Sequence, residues 1–167
     1  MSYSPDLRPV TTDVTDVRRV AVAALVVAVL LSACGSQPGI SVSVGQQSVP
    51  LVLSSRTRTT AWVASEHGDA FPRDIPVTTV RTSLPVMLKF EAGQGASAIR
   101  VWLYDKEAPT PNGGPSEEFT LQGRTGAHAP RIIVVGRTYE IVVNVVWSGV
   151  LVSGEETHVF RVKVEAP

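Results

Sequence analysis

Apolar and polar residues alternate with a period of two through much of the chain after residue 40. Ile40-Ser41-Val42-Ser43-Val44 is the first such run, and Leu84 to Glu91 sets Val86, Leu88 and Phe90 against Met87, Lys89 and Glu91. Ala98 to Tyr104 sets Ile99, Val101 and Leu103 against Arg100, Trp102 and Tyr104. Thr157 to Val164 does the same with His158, Phe160, Val162 and Val164 on one side. A period of two is that of a strand with one buried face. Tyr139 to Trp147 is the strongest strand signal of the chain, and Val49 to Leu53, Thr59 to Ala64, Glu118 to Leu121 and Arg131 to Val135 predict shorter strands. Clusters of Gly, Pro, Asn and Ser predict loops at Ser65 to Pro76, Gly93 to Gly95, Ala108 to Pro115 and Ser148 to Glu156, with Ser54 to Arg58 as a further connection. No stretch after Cys34 shows a 3.6-residue apolar period. The expected fold class is all-β, an antiparallel sandwich.

The strand order from Val77 to Val164 resembles an immunoglobulin-like sandwich, with Tyr139 near the start of the penultimate strand, where the tyrosine corner of that fold lies. The resemblance implies two packed sheets. The inter-sheet cysteine pair of antibody domains is missing, because Cys34 is the only cysteine in the chain.

The first 33 residues follow another pattern. Arg18-Arg19 precedes the apolar run Val20 to Leu31, which ends in Leu31-Ser32-Ala33-Cys34. A basic entry, a short apolar core and small residues before a cleavage point are the parts of a secretory signal. The run is shorter than the roughly 20 apolar residues that a membrane-spanning helix needs. Leu31-Ser32-Ala33-Cys34 resembles the lipobox of bacterial lipoproteins. That resemblance implies removal of the signal helix, acylation of the Cys34 thiol, and a cell-membrane, lipid-anchored location on the extracytoplasmic side. Arg18-Arg19 also begins a twin-arginine pattern, but Val20-Ala21-Val22 continues it poorly, and an uncut anchor with a buried Cys34 is the remaining alternative. Asp6, Asp13 and Asp16 against the single Arg8 make residues 1 to 16 an unusual signal entry, so translation is expected to start at Val14 or Val17. The expected organisation is a signal at 1–33, a tether at 34–39, an N-terminal β segment and loop at 40–76 and the sandwich at 77–167. Within 40–76, Thr60-Ala61-Trp62 and Arg73-Asp74-Ile75-Pro76 are similar to the N-terminal part of small bacterial lipoproteins without an established activity. That likeness implies that Trp62 and Asp74 hold the first hairpin against the sandwich.

Charge removes one class of partner. Lys plus Arg and Asp plus Glu number 15 each, and the first 33 residues carry three of each sign, so no basic surface is expected for nucleic acid. Glu66-His67-Gly68-Asp69 with Asp74 is the densest group of potential metal ligands, but its spacing matches no metal motif and it reads as a solvated loop. His128 and His158 have no cysteine partner, and His158 reads as a histidine at the rim of the apolar face. No Gly-x-Ser-x-Gly elbow occurs, and Gly93-Gln94-Gly95 lacks the helix of a nucleotide loop. The expectation is a binding or scaffolding module with no catalytic residues, cofactor or metal, and with an envelope protein as its partner.

The candidate binding face is the outer side of a sheet made by Ala98 to Tyr104, Tyr139 to Trp147 and Thr157 to Val164. It would present Trp102, Tyr104, Asn144, Arg161 and Lys163, with aromatic and arginine chemistry suited to partner recognition. The segment Ile40 to Ala64 either leaves that face open or folds over it as a second core. A protease-inhibitor-like module presenting Thr110 to Pro115 and Ser148 to Glu156 at one end is the first alternative. A metal-dependent enzyme using the Glu66 to Asp74 loop is the second.

Overall fold

A computed structural model describes residues 39–60, 64–68, 74–148 and 152–167, and these contain strands and no helix. In chain order the strands are β1 (Ile40–Val44), β2 (Gln47–Val49), β3 (Val52–Thr60), β4 (Ala64–Gly68), β5 (Val77–Arg81) and β6 (Leu88–Ala92). They continue as β7 (Ala96–Asp105), β8 (Glu117–Gln122), β9 (Thr125–His128), β10 (Thr138–Ser148) and β11 (Val152–Glu165). One sheet runs β2-β1-β6-β9 and the other β4-β3-β11-β10-β7-β8. Every pairing is antiparallel except that of β5, which lies parallel to the C-terminal half of β11. Thus β3 pairs with Val152 to Val159 and β5 with Arg161 to Glu165, on the same edge of one long strand.

The two sheets bury their alternating apolar positions in one core. Val42, Val44, Leu88 and Phe90 of the smaller sheet join Ile99, Val101, Leu103, Ile141, Val143, Phe160 and Val162 of the larger. Period two delivers every second side chain to that interior, which is the dominant favourable contribution to folding. Strands before and after residue 76 share both sheets: β1 pairs with β6, and β3 with β11.

Several segments depart from the sequence reading: Val152 to Glu156, expected in a loop, opens β11, and Leu84 to Met87, expected in a strand, precedes β6. Ser54 to Arg58 is not a connection but the middle of β3, paired with the equally polar Gly154 to Thr157. Ala64 to Gly68, expected in a loop, forms β4 against β3. Arg131 to Val135, expected as a strand, carries no ladder because side chains take its backbone donors. Glu117 Oε2 accepts from Arg131 N (2.8 Å) and Ile132 N (3.2 Å), and Tyr139 Oη accepts from Val134 N (2.9 Å). The strand in that region is Thr125–His128 instead.

Register fixes which loops share an end. Tyr139 faces Asp105 and Val162, whereas Trp147 faces Ala96 and Gly154. The loop after Asp105, the loop before Thr138 and the C-terminus of β11 therefore gather at one end of the larger sheet. The β6–β7 and β10–β11 connections lie at the other. Thr110 to Pro115 thus follows the Asp105 end, and Ser148 and Val152, within the loop expected at Ser148 to Glu156, stand at the other, whereas the protease-inhibitor reading set both loops at one end.

Candidate functional site

Alternation places Trp102, Val142 and Val159 in one row on the outer face of the larger sheet, and Tyr104, Glu140 and Arg161 in the next. Ile75 packs over this face in a small cluster with Val142 and Val159, joined by Val52, Trp102 and Tyr104. Of the segment Ile40 to Ala64, expected either to leave this face open or to cover it, Val52 joins the cluster, and Ile75 from beyond that segment packs over the face. Ile40–Val44 lies in the other sheet, and β3 extends the larger sheet sideways. Within Arg73-Asp74-Ile75-Pro76 it is Ile75 that is buried, while Asp74 is exposed. Trp62 and Arg73 lie outside the described residues.

The five residues expected on this face have different fates. Trp102 and Tyr104 remain half-buried beside Ile75. Asn144 is buried instead of presented, and its Nδ2 donates to Thr157 Oγ1 at 3.1 Å and Glu155 Oε2 at 3.4 Å. Arg161 donates from Nε to Glu140 Oε2 at 2.8 Å, with Nη2 at 2.7 Å from the same oxygen. Lys163 Nζ stands 3.1 Å from Glu165 Oε1. The aromatic pair is therefore framed by polar groups already held in place.

A second constellation lies on the inner face of the larger sheet. Glu156 of β11 is opposite Val145 on one side and Arg56 of β3 on the other, and His158 is opposite Val143 and Leu53. Glu156 is only 2% exposed, with Oε1 2.7 Å from Arg56 Nε and Oε2 3.2 Å from His158 Nε2. The Arg56 contact is an ion pair whose N–H is not aimed along it, since neither atom meets hydrogen-bond geometry. The three residues border a groove of about 580 Å³ lined also by Ile40, Ser41, Ser48, Val49 and Leu51. In the sequence only His158 stands out, because Arg56 and Glu156 fall in the expected connections Ser54 to Arg58 and Ser148 to Glu156; the available signal is a charged pair at positions where strand alternation calls for apolar residues.

Burial pushes the His158 imidazole below its ordinary value of 6.5, with Arg56 adding to the effect and the Glu156 carboxylate opposing it. The folded state therefore binds a proton less readily than the unfolded chain. Stability from this group is present above pH 6.5 and is lost as the pH falls through the lower, folded value. Denaturant unfolding across this range should show an acid-side decline that the His158→Gln variant lacks. An identical slope in both would remove His158 as its source.

The end of the sheet that gathers the longer loops is fixed by side chains. Asp105 is buried, and its Oδ1 accepts from Glu107 N and Ala108 N, each at 3.0 Å, while Oδ2 accepts from Arg137 Nη1 at 2.6 Å. Burial raises this carboxyl, but the Arg137 hydrogen bond and the two amide donors outweigh it and leave the pKa below its usual range. Asp105→Asn keeps an acceptor for the amides and loses the ionic partner of a half-exposed arginine. We expect a cost of about 1 kcal/mol by denaturant titration.

The segment read as a solvated loop, Glu66 to Asp74, begins in a strand. Glu66 and His67 stand in β4 opposite Thr57 and Arg56, Asp74 is exposed and Asp69 lies outside the described residues. Among the described residues no group of three or more His, Cys, Asp or Glu is placed to hold a metal ion. His128 belongs to the smaller sheet, where Phe119 stacks on its ring at 3.8 Å and Glu117 Oε1 lies 2.9 Å from Nε2. Cys34 lies outside the described residues.

No family model matches the chain, and no curated protein or solved structure is found to be similar to it.

Proposed function

We propose that the chain is a lipid-anchored, extracytoplasmic binding module built on an immunoglobulin-like sandwich. Leu31-Ser32-Ala33-Cys34 supports the anchor, since a lone cysteine after a short apolar run is what an acylation signal requires. Two lipid chains or more hold a protein durably at a membrane, where one does not.

The sandwich assignment draws on the corner before β10. Tyr139 Oη donates to Ile132 O at 3.0 Å and accepts from Val134 N at 2.9 Å, the hydrogen-bonding of a tyrosine corner. The strand arrangement agrees with it: β11, β10, β7 and β8 in one sheet, β6 and β9 in the other, and β5 parallel to the last strand. The additions to that plan are β1 to β4.

The observation that carries the binding role is the half-exposed pair Trp102 and Tyr104, set beside Ile75 and the Arg161–Glu140 ion pair. Large aromatics fixed in place lose little freedom on association, which is why they dominate recognition surfaces. The partner class that fits is an envelope protein. A photo-crosslinking amino acid placed at Trp102 in the full chain, in cells, should give a discrete adduct. The same group at Thr125, on the outer face of the smaller sheet, should give none. Equal patterns at both positions would refute a binding role for this face.

A further inference from the structure

From Ile99 to Leu103 of β7 and from Ile141 to Val145 of β10 the inner face of the larger sheet is apolar; titratable groups turn inward where β11 meets β3. Glu156, Arg56 and His158 border the groove in the open flank between β1–β2 of the smaller sheet and β3–β11 of the larger. Its volume of about 580 Å³ falls in the range of small-molecule sites, and its lining combines Val49, Leu51 and Leu53 with a few convergent polar groups. Replacing a buried ion pair by well-packed apolar side chains of similar volume is often neutral or stabilising. Stability alone therefore gives no reason for charge at these positions, whereas a ligand does.

We infer that this groove binds a single-chain fatty carboxylate, its head on Arg56 and its chain along Val49, Leu51 and Leu53 between the sheets. Glu156 is too deeply buried to meet a ligand, and its oxygens already face Arg56 and His158. Arg56 retains 31% side-chain exposure, so the reachable chemistry is that of a donor. The Arg56–Glu156 pair sums to zero charge, so a monoanionic head adds one negative charge to a partly desolvated site where a dianion would add two. Arginine presents its planar N–H fork to carboxylates, which makes Arg56 the donor of this groove suited to such a head.

The inference rests on the reading of the chain as an envelope binding module and supplies a ligand class on a surface other than Trp102. Gly39 lines the groove, and Cys34 precedes it by five residues, which span at most about 18 Å when extended. Acylation at Cys34 would keep the groove within reach of a bilayer.

The test uses the full chain in vesicles of neutral phospholipid, irradiated with a palmitic acid analogue that carries a diazirine along its chain. Label is expected on peptides spanning Val49 to Arg56 and Glu156 to His158, displaced by palmitate and not by the matching fatty alcohol or by lysophosphatidylcholine. Arg56→Gln should reduce labelling roughly tenfold, the loss of one charge-assisted contact. Leu53→Trp narrows the groove from an exposed position beside His158 and changes no charge, and should abolish labelling with the unfolding midpoint unchanged. Uniform labelling, equal in the parent and both variants, would overturn the site. Displacement by lysophosphatidylcholine as effective as by palmitate would overturn the carboxylate head. Labelling that fails while the Trp102 adduct persists removes the groove alone, and the reverse removes the sheet-face reading alone.

Discussion

Glu156→Leu should destabilise the protein by about 3 kcal/mol, the largest effect we expect from any single polar substitution, read as a lowered denaturation midpoint. Leucine matches the volume of glutamate, so the cost is not that of a cavity. It arises because Arg56 loses the oxygen 2.7 Å from Nε and His158 loses the acceptor 3.2 Å from Nε2, in a place where water replaces neither well. Breaking one member of a buried ionic group costs about 3–5 kcal/mol, and the partial exposure of Arg56 sets the value at the lower end. The converse follows from the same physics. Replacing all three, as Glu156→Leu with Arg56→Met and His158→Leu, removes every desolvated charge and should return stability to the parent level or above it. A triple variant no more stable than the single one would show that packing, not charge, sets the penalty.

Tyr139→Phe should cost about 2 kcal/mol, because one hydroxyl serves two backbone groups that have no ladder partner. Val134 N donates to Oη and Ile132 O accepts from it, in a segment where Glu117 takes the amide donors of Arg131 and Ile132. The ring is fully buried and stays so in phenylalanine, so the loss isolates the hydrogen bonds. Burial also raises the Tyr139 phenol above its ordinary value, which keeps the proton that Ile132 O accepts. Hydrogen exchange should show the reach of the effect. Protection at Val134 should fall in the variant, with the β10–β11 ladder retained. Loss of protection across both strands would mean that the corner holds the sheet as well as the loop.

How far the sequence discloses the fold depends on what fills the inward positions. In β1, β7 and the C-terminal half of β11 the inward residues are mostly large and apolar, and in β10 nearly the whole strand is, so alternation or continuity reveals them. In β9 the positions facing the core are Gly126 and His128. A Cβ on Gly126 would stand 2.8 Å from Leu121 Cδ1, and Phe119 stacks on His128. The neighbouring strand β8 thus supplies the bulk that β9 lacks, and no periodic signal appears. The opposite error occurs at Ile132-Ile133-Val134-Val135. This run has strand composition, yet Ile133 is buried while Val134 and Val135 are exposed. Side-chain acceptors distant in sequence decide that outcome.

The candidate sites follow the same logic. Trp102 and Tyr104 were readable as outward residues from parity alone. Their partial cover by Ile75 was not, because it depends on the path of a segment with no periodicity. Arg56, Glu156 and His158 come together only through the pairing of β3 with β11, a long-range register that local pattern does not encode. A shift of that pairing by one residue would turn the three away from one another.

The claim on which location, orientation and ligand supply depend is the acylation of Cys34. Intact-mass spectrometry of the protein extracted from membranes tests it without reference to any partner. The account predicts a chain that begins at Cys34 and carries the added mass of a diacylglyceryl group on sulfur. A chain retaining residues before Cys34, or beginning there with an unmodified thiol, would contradict it.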